Sequence, residues 1–535
     1  MNPQRLRNSE ERKPHLILFL CLTAILFAFG TVLGPDGALR NRNKIGSFSR
    51  LGKSEASKRH PAMQKYSRKN EFERLKEYFG KFEVRVGKKM NNDEAEVESS
   101  ELGGQKTISA FGRYWDKQVP MDNVVRRNRE GAKRLSAVID PPAASSHASS
   151  LLALPNGDVL LAFFSGEGEG GDGVGIAVSK LKHGETKWSE AKFVSKMKGR
   201  SNQNPVLFRN NAKNDENDSN HVRIVHASEV SFQGQGTSDM RSLYSTDGGE
   251  TWSKPEIVDH QNGAFPKNSV IRALNGDLLL PMYYTPSGFF DHATQYSMLQ
   301  KSSDLGKSWK PLVEFPGTRG NLVQPTVVRL NNNDLLSFFR SRTADFIWAS
   351  RSTDDGKTWS DPKPTKFPNN NAGIQMIKLR NTKQDILVLV FNNCNEGRYP
   401  LSIALSEDGG KSFKQIRDLE PDVDFDHESE NREKSNFGGS DGEYSYPSIQ
   451  EDAKHDGLIH VAYTFRRETI KYSAFMLDWL KEESEEAKTS GKVTEIDDTF
   501  NDAEYMDSLA YKRNDWEFDR NSDNDKNPAN PYILH

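Results

Sequence analysis

An acidic, glycine-rich run, Gly166 to Gly173 (GEGEGGDG), crowds the carboxylates of Glu167, Glu169 and Asp172 together. Hard cations take carboxylate and carbonyl oxygens, but the run lacks the fixed spacing of a calcium loop, and no metal or other cofactor is expected. Arg340 and Arg342 form R-S-R at the end of an apolar run, and Arg398 follows a polar loop. A planar guanidinium matches a carboxylate bidentately, so such arginines suit an acidic ligand; structural salt bridges or a surface loop are the plain alternatives. Arg466 and Arg467 follow VAYTF, and either could add positive charge. His147 titrates near neutrality if solvated and could act as a base. Tyr446, ahead of Pro447, is either a ligand contact or a packed aromatic, and Asn204 and Lys267 open apolar runs where polar residues contact ligands or cap strand edges. There is no phosphate-binding Gly-Lys loop and no H-E-x-x-H, which removes the common nucleotide and zinc-protease readings. Two cysteines, Cys21 and Cys394, exclude a disulfide within the body and a cysteine zinc site. With 73 Lys+Arg against 75 Asp+Glu the net charge is -2, which argues against a nucleic-acid partner.

The elements that must position these residues announce themselves by repetition. Ser245-TDGGET-Trp252, Ser302-SDLGKS-Trp309, Ser352-TDDGKT-Trp359 and Ser406-EDGGKS-Phe413 share the pattern S-x-D-x-G-x-[ST]-[WF], and a worn copy runs from Ser179 to Trp188 without the aspartate. In such a turn the aspartate caps backbone N–H groups, glycine supplies unusual φ and the aromatic plugs the space below. Upstream lie apolar runs broken by Asn-Gly or Asn-Asn, as in LLALPNGDVLLAFF and TVVRLNNNDLLSFF, which are hairpin signatures. Two further strand pairs start at Asn204 and Tyr446. Six such units predict one all-β domain over 135–478, a six-bladed β-propeller.

On these residues the chain resembles the sialidase superfamily, whose members share this propeller and these Asp-box turns. The resemblance implies three arginines around a substrate carboxylate, an aspartate acid/base, and a tyrosine nucleophile assisted by a glutamate. A neutral tyrosine suits attack at an anomeric carbon that already bears a carboxylate. Carried over, it puts Arg340 and Arg398 in two arginine slots, Tyr446 in the nucleophile's and Asp172 in the acid's, with Glu167 and Glu169 as alternatives. The departures are two. Gln324 stands where the glutamate belongs, and His147 where the first arginine belongs; Arg466 is the residue expected to restore the missing charge. Asn204, Lys267 and Glu169 are expected to line the substrate.

The flanks read differently. Residues 16–33 (LILFLCLTAILFAFGTVL) carry no charge, and eighteen residues at ~1.5 Å each cover roughly 27 Å, enough for a bilayer core. We expect a cytoplasmic tail over 1–15, a signal anchor over 16–34, and a type II protein whose body faces the secretory lumen or the exterior; a cleaved, secreted form is the alternative. Residues 35–134 read as a basic, largely disordered stem with one short helix near Phe72, Leu75, Tyr78 and Phe79, and 479–535 as an acidic, mostly disordered tail. Asn217-Asp-Ser219 is a glycosylation sequon in an exposed loop.

The leading functional expectation is a glycoside hydrolase acting on a terminal acidic sugar, with Asp172 as acid and Tyr446 as nucleophile. A uronate lyase using His147 or Tyr446 as base is a variant of it. The second is a membrane-tethered module that binds acidic glycans without cutting them, since two charged site positions are replaced. A purely structural platform is the third.

Overall fold

The computed structural model describes Tyr78 and residues 120–127, 133–211, 215, 217–286, 292–413, 415–420 and 443–481. The expected anchor and most of the two flanks lie outside them, and no helix among the described residues is long and apolar enough to cross a membrane.

Six antiparallel sheets follow one another along the chain. Blade one is Ser145–Ala153, Val159–Gly166, Gly175–Leu181 and Lys192–Ser195, hydrogen-bonded in that order. Blade two starts at Arg200–Arg209, blade three at Ala264–Pro266, blade four at Leu322–Arg329, blade five at Gln375–Lys378 and blade six at Tyr444–Glu451. Blade six takes its outer strand from far upstream: Arg134–Val138 pairs with Thr469–Met476, and Arg126–Arg127 pairs outside it. The ring is thus closed by joining the start of the domain to its end. The strands alternate in direction, so first-strand starts and second-strand ends meet on one face, with the first hairpins and the Asp-box turns on the other. Both faces of each inner strand are buried because the next blade packs there, and six apolar clusters fill the six junctions. This is why the runs read as continuous hydrophobics rather than alternating ones.

The Asp-box turns are built as their sequence implies. In Ser352–Trp359, the Asp354 carboxylate accepts the N–H groups of Lys357 and Thr358 and the Thr358 hydroxyl, and Trp359 donates its indole N–H to the Gly356 carbonyl. These bonds, with that from Ser352, outweigh burial and hold Asp354 at about 2. Gly306 shows why the glycine is required. Its φ is 83°, and a Cβ there would lie 2.7 Å from the Phe208 ring of the preceding blade. The boxes belong to blades two to five, and the worn copy to blade one, where the Ser179 hydroxyl donates to the Ser189 carbonyl instead.

Two boundaries shift from the sequence reading. The stretch expected as a solvated stem is structured at its end, because Arg126–Arg127 and Arg134–Val138 complete blade six, and Tyr78 is helical and 1% exposed. The stretch expected as tail begins with the helix Leu477–Lys481, where Leu480 is buried and Trp479 lies under the guanidinium of Arg417.

Candidate active site

A single local device aims the central side chains. The first strands of blades one, two, four and six each carry a bulge, between His147 and Ser150, Gln203 and Val206, Val323 and Thr326, and Ser445 and Ser448. The residue opening each bulge is left-handed: Ala148 (φ 55°), Asn204 (48°), Gln324 (52°) and Tyr446 (50°). Such a conformation costs a non-glycine residue of order 1–3 kcal/mol and persists only where the surroundings enforce it. Three of the four precede a proline, whose missing N–H suits a position where ladder pairing is already broken. By this register Asn204, Gln324 and Tyr446 are equivalent around the axis, and the blade-one equivalent is Ala148, with His147 just before it.

Tyr446 is the centre. Its hydroxyl oxygen accepts a hydrogen bond from the Arg340 guanidinium, and the Gln324 amide nitrogen is 3.5 Å away. Arg340 also donates to the Gln324 carbonyl at 3.0 Å and to Asn371 at 2.8 Å. The guanidinium carbons of Arg340 and Arg398 both lie 5.4 Å from the centre of the tyrosine ring, and Lys267 Nζ lies 5.8 Å from it. His147 packs on the ring at 4.1 Å between centroids. Gly373 of blade five lets this happen, since a Cβ there would lie 3.3 Å from Gln324 Oε1 and 3.4 Å from Tyr446 Cδ1.

Electrostatics follow from that crowding of cations. Burial alone would raise the Tyr446 hydroxyl, but Arg340 and Arg398 outweigh it and bring it below the ordinary tyrosine value. Burial, and then Arg340, pull Lys267 down to about 7, with its Nζ donating to the Pro447 carbonyl at 3.2 Å. Burial brings Arg340 to about 10. Behind the tyrosine sits Glu443, 1% exposed. It takes Arg398 at 2.7 Å and Arg467 at 2.9 Å, and these two override burial to hold it at about 2. Arg467 reaches on to Glu169 at 2.6 Å, so an ion pair joins the blade-six loop to the glycine-rich loop of blade one.

Of the residues singled out from sequence, Tyr446, Gln324, Arg340, Arg398, Lys267 and His147 are brought together here. Asn204 shares the bulge position in blade two and is buried. Three expectations need correction. Asp172 is exposed and turned to the loops of blade two, where its Oδ1 accepts the Gly199 N–H at 2.5 Å and the Ser231 hydroxyl at 3.4 Å; Glu169 is the loop's carboxylate that reaches Arg467. Arg466 lies over the Phe465 ring at 5.3 Å, and it is Arg467 that reaches Glu443 and Glu169. His147 is a poor base at neutral pH, because burial and then Arg467 hold it well below 6.5, with its Nδ1 2.7 Å from the Thr464 hydroxyl. Sequence reasoning missed Glu443. Glu443 sits one residue before the YSYP run, and only its adjacency to that run marks it.

Six blades, four of them with Asp-box turns on one face, and a tyrosine–arginine–glutamate cluster on the other define an Asp-box β-propeller. The profile of the BNR repeat-like domain family matches residues 157–461, more than half of the chain, and the chain belongs to that family. A curated sialidase of Bacteroides fragilis (strain YCH46) is 26% identical over 197 residues, 34% of this chain and 35% of the relative. The alignment therefore spans about a third of that relative's length. Among solved structures, a Hadza microbial sialidase superposes with a TM-score of 0.51 at 14% identity, covering 63% of this chain and 67% of the other, which is a likeness of fold. The intramolecular trans-sialidase of Ruminococcus gnavus gives 0.49 at 16% identity, with 64% and 96% covered.

Proposed function

We propose that the chain is a sialidase-like glycoside hydrolase that cleaves a terminal acidic sugar, sialic acid or a related keto or uronic acid, with Tyr446 as nucleophile. The observation that carries this reading is the Tyr446 hydroxyl held by Arg340 and Gln324, with Arg398 over the same ring. A carboxylated sugar brings its own negative charge, and Arg340 and Arg398 offer cations to receive it, with Lys267, brought down to about 7 by burial, as a hydrogen-bond donor beside them. The same guanidiniums bring the Tyr446 hydroxyl below the ordinary tyrosine value, which favours the phenolate as the attacking form over the neutral phenol expected from sequence. Arg467 takes the part given to the missing blade-one arginine, and Glu443 fixes both it and Arg398. The depressed His147 leaves little support for a lyase base at that position.

One observation favours a second reading, a propeller that holds acidic glycans without turnover. Gln324 can orient Tyr446 but cannot take its proton. In either case the apolar run 16–33 and the exposed sequon residue Asn217 fit a membrane-tethered protein facing the secretory lumen or the exterior.

The test is a panel of fluorogenic keto-acid glycosides and α- and β-uronides, run on wild type and Tyr446→Phe. We expect release from a keto-acid glycoside by wild type and none by the variant, with binding of the free sugar acid retained. Full-rate cleavage by Tyr446→Phe sinks the tyrosine mechanism. Saturable binding with no product from any glycoside transfers the protein to the second reading.

A further inference from the structure

We infer that Glu229, at the end of the second strand of blade two, is the acid that protonates the leaving oxygen; this rests on the tyrosine-nucleophile reading above. Asp172, the residue the family pattern nominates, spends its carboxylate on the backbone of Gly199 and the hydroxyl of Ser231 and faces solvent. With Glu443 held between Arg398 and Arg467, Glu169 and Glu229 are the further carboxylates to weigh, and the fold makes them unequal.

Glu169 takes the guanidinium of Arg467 at 2.6 Å, and a cation at that distance keeps a carboxylate ionised. Glu229 is 3% exposed, and its Oε1 accepts an amide hydrogen from Gln203 at 2.7 Å. That oxygen lies against the glycine-rich loop, since a Cβ on Gly170, next to Glu169, would be 3.4 Å from it. The two loops are pinned together there by the Phe232 N–H donating to the Gly170 carbonyl at 2.8 Å. Arg200 of blade two directs its donors to Ser228 and to Asp239 at 2.8 Å. Burial, and then the charge of Glu169, raise Glu229 to about 8, with Gln203 and Arg200 opposing only in part. One carboxylate kept ionised beside one kept protonated is the division of labour that acid catalysis at neutral pH requires.

The step balances. A Glu229 carboxyl proton passes to the glycosidic oxygen as its bond to the anomeric carbon breaks and the Tyr446 oxygen, entering as phenolate, bonds to that carbon. In the second half the Glu229 carboxylate takes a proton from the water that displaces Tyr446, and the phenolate leaves with its electron pair. One water is consumed and both groups return to their starting forms.

The experiment uses the full chain and two keto-acid glycosides, one with a sugar aglycone and one with an aryl group whose phenolate leaves unaided. Glu229→Gln is expected to lose about 100-fold or more on the sugar aglycone, the range general acids supply, and less than about 10-fold on the aryl glycoside. The fall of wild-type kcat/KM with rising pH near 8 should disappear with it. Gln203→Met, which removes a bond favouring the ionised form, should move that fall to higher pH and keeps the idea testable if Glu229→Gln does not fold. Equal losses on both glycosides, a leaving-group-dependent loss in Asp172→Asn instead, or an unmoved pH limb in Gln203→Met overturns the assignment. Tyr446→Phe is run alongside: if it is dead while Glu229→Gln is unaffected, Glu229 fails and the tyrosine reading stands, whereas an active Tyr446→Phe removes the reading itself.

Discussion

Gln324 and Tyr446 occupy the same bulge in two different blades, both left-handed and both followed by proline, and their side chains meet across the axis at 3.5 Å. Because the amide is neutral, Arg340 faces the phenol with no carboxylate paired to it among the described residues, and the phenol is pulled below its ordinary value.

Replacing that amide by a carboxylate should reverse the drive. In Gln324→Glu a negative group stands next to both Arg340 and the tyrosine oxygen, and like charges disfavour the phenolate. We expect the Tyr446 pKa to rise by about one unit, worth ~1.4 kcal/mol. Tyrosinate absorbance as a function of pH, with Tyr446→Phe as the blank, reads it directly. A titration that does not move means that Gln324 does not face the phenol as described.

Glu443 ties acid stability to the same site. Its folded pKa of about 2 lies below its ordinary 4.5, so its contribution is fully present above about 4.5 and is lost as pH falls toward 2. Glu443→Gln leaves Arg398 and Arg467 without their shared buried carboxylate, a kind of change that costs roughly 3–5 kcal/mol. The variant should melt lower than wild type at neutral pH, and the gap should close below pH 4. A gap that stays constant from neutral pH down to pH 3 excludes this ion pair as its source.

What the sequence disclosed, and what it hid, follows from the kind of constraint on each residue. The Asp-boxes were legible because one turn geometry demands an aspartate, a glycine and an aromatic at fixed spacing, as Asp354, Gly356 and Trp359 show. Tyr446, Gln324 and Arg340 were legible because each is tied to a strand start or a strand end. Asp172 misled because D-x-x-x-I spacing records only that an aspartate precedes a strand, and here the carboxylate ties its loop to those of blade two. Arg466 misled because neighbours on a tight connection point apart, with φ of 55° and 61° turning Arg467 toward Glu443. Glu229 was invisible, since an acid at a strand end has no motif and its character comes from burial and from Glu169. The closing strand Arg134–Val138 was hidden because its partner, Thr469–Met476, lies more than 300 residues away.

Tyr78 makes the last prediction, and it concerns that closure. Its hydroxyl donates to the Gly157 carbonyl at 2.7 Å, and its ring stands edge-on to His183 and His455 at 5.2 and 5.1 Å. Those partners come from blades one and six, so a residue some fifty positions ahead of the first strand bridges the junction where the ring is joined. The Asp452 carboxylate anchors both His455, at 2.9 Å, and His460, at 3.2 Å, and so fixes the far wall of the socket. Truncating a buried aromatic costs ~3–5 kcal/mol, and here the loss falls where the two ends of the domain are joined. Tyr78→Ala should unfold at clearly lower denaturant than wild type. Tyr78→Phe, which keeps the ring but forfeits the bond to Gly157, should cost about 1 kcal/mol. Backbone amides of Arg134–Val138 should exchange faster in Tyr78→Ala than those of blade four, because the seam opens first. Uniform exchange across the blades, or an unchanged denaturation midpoint, means the ring closes without help from this segment.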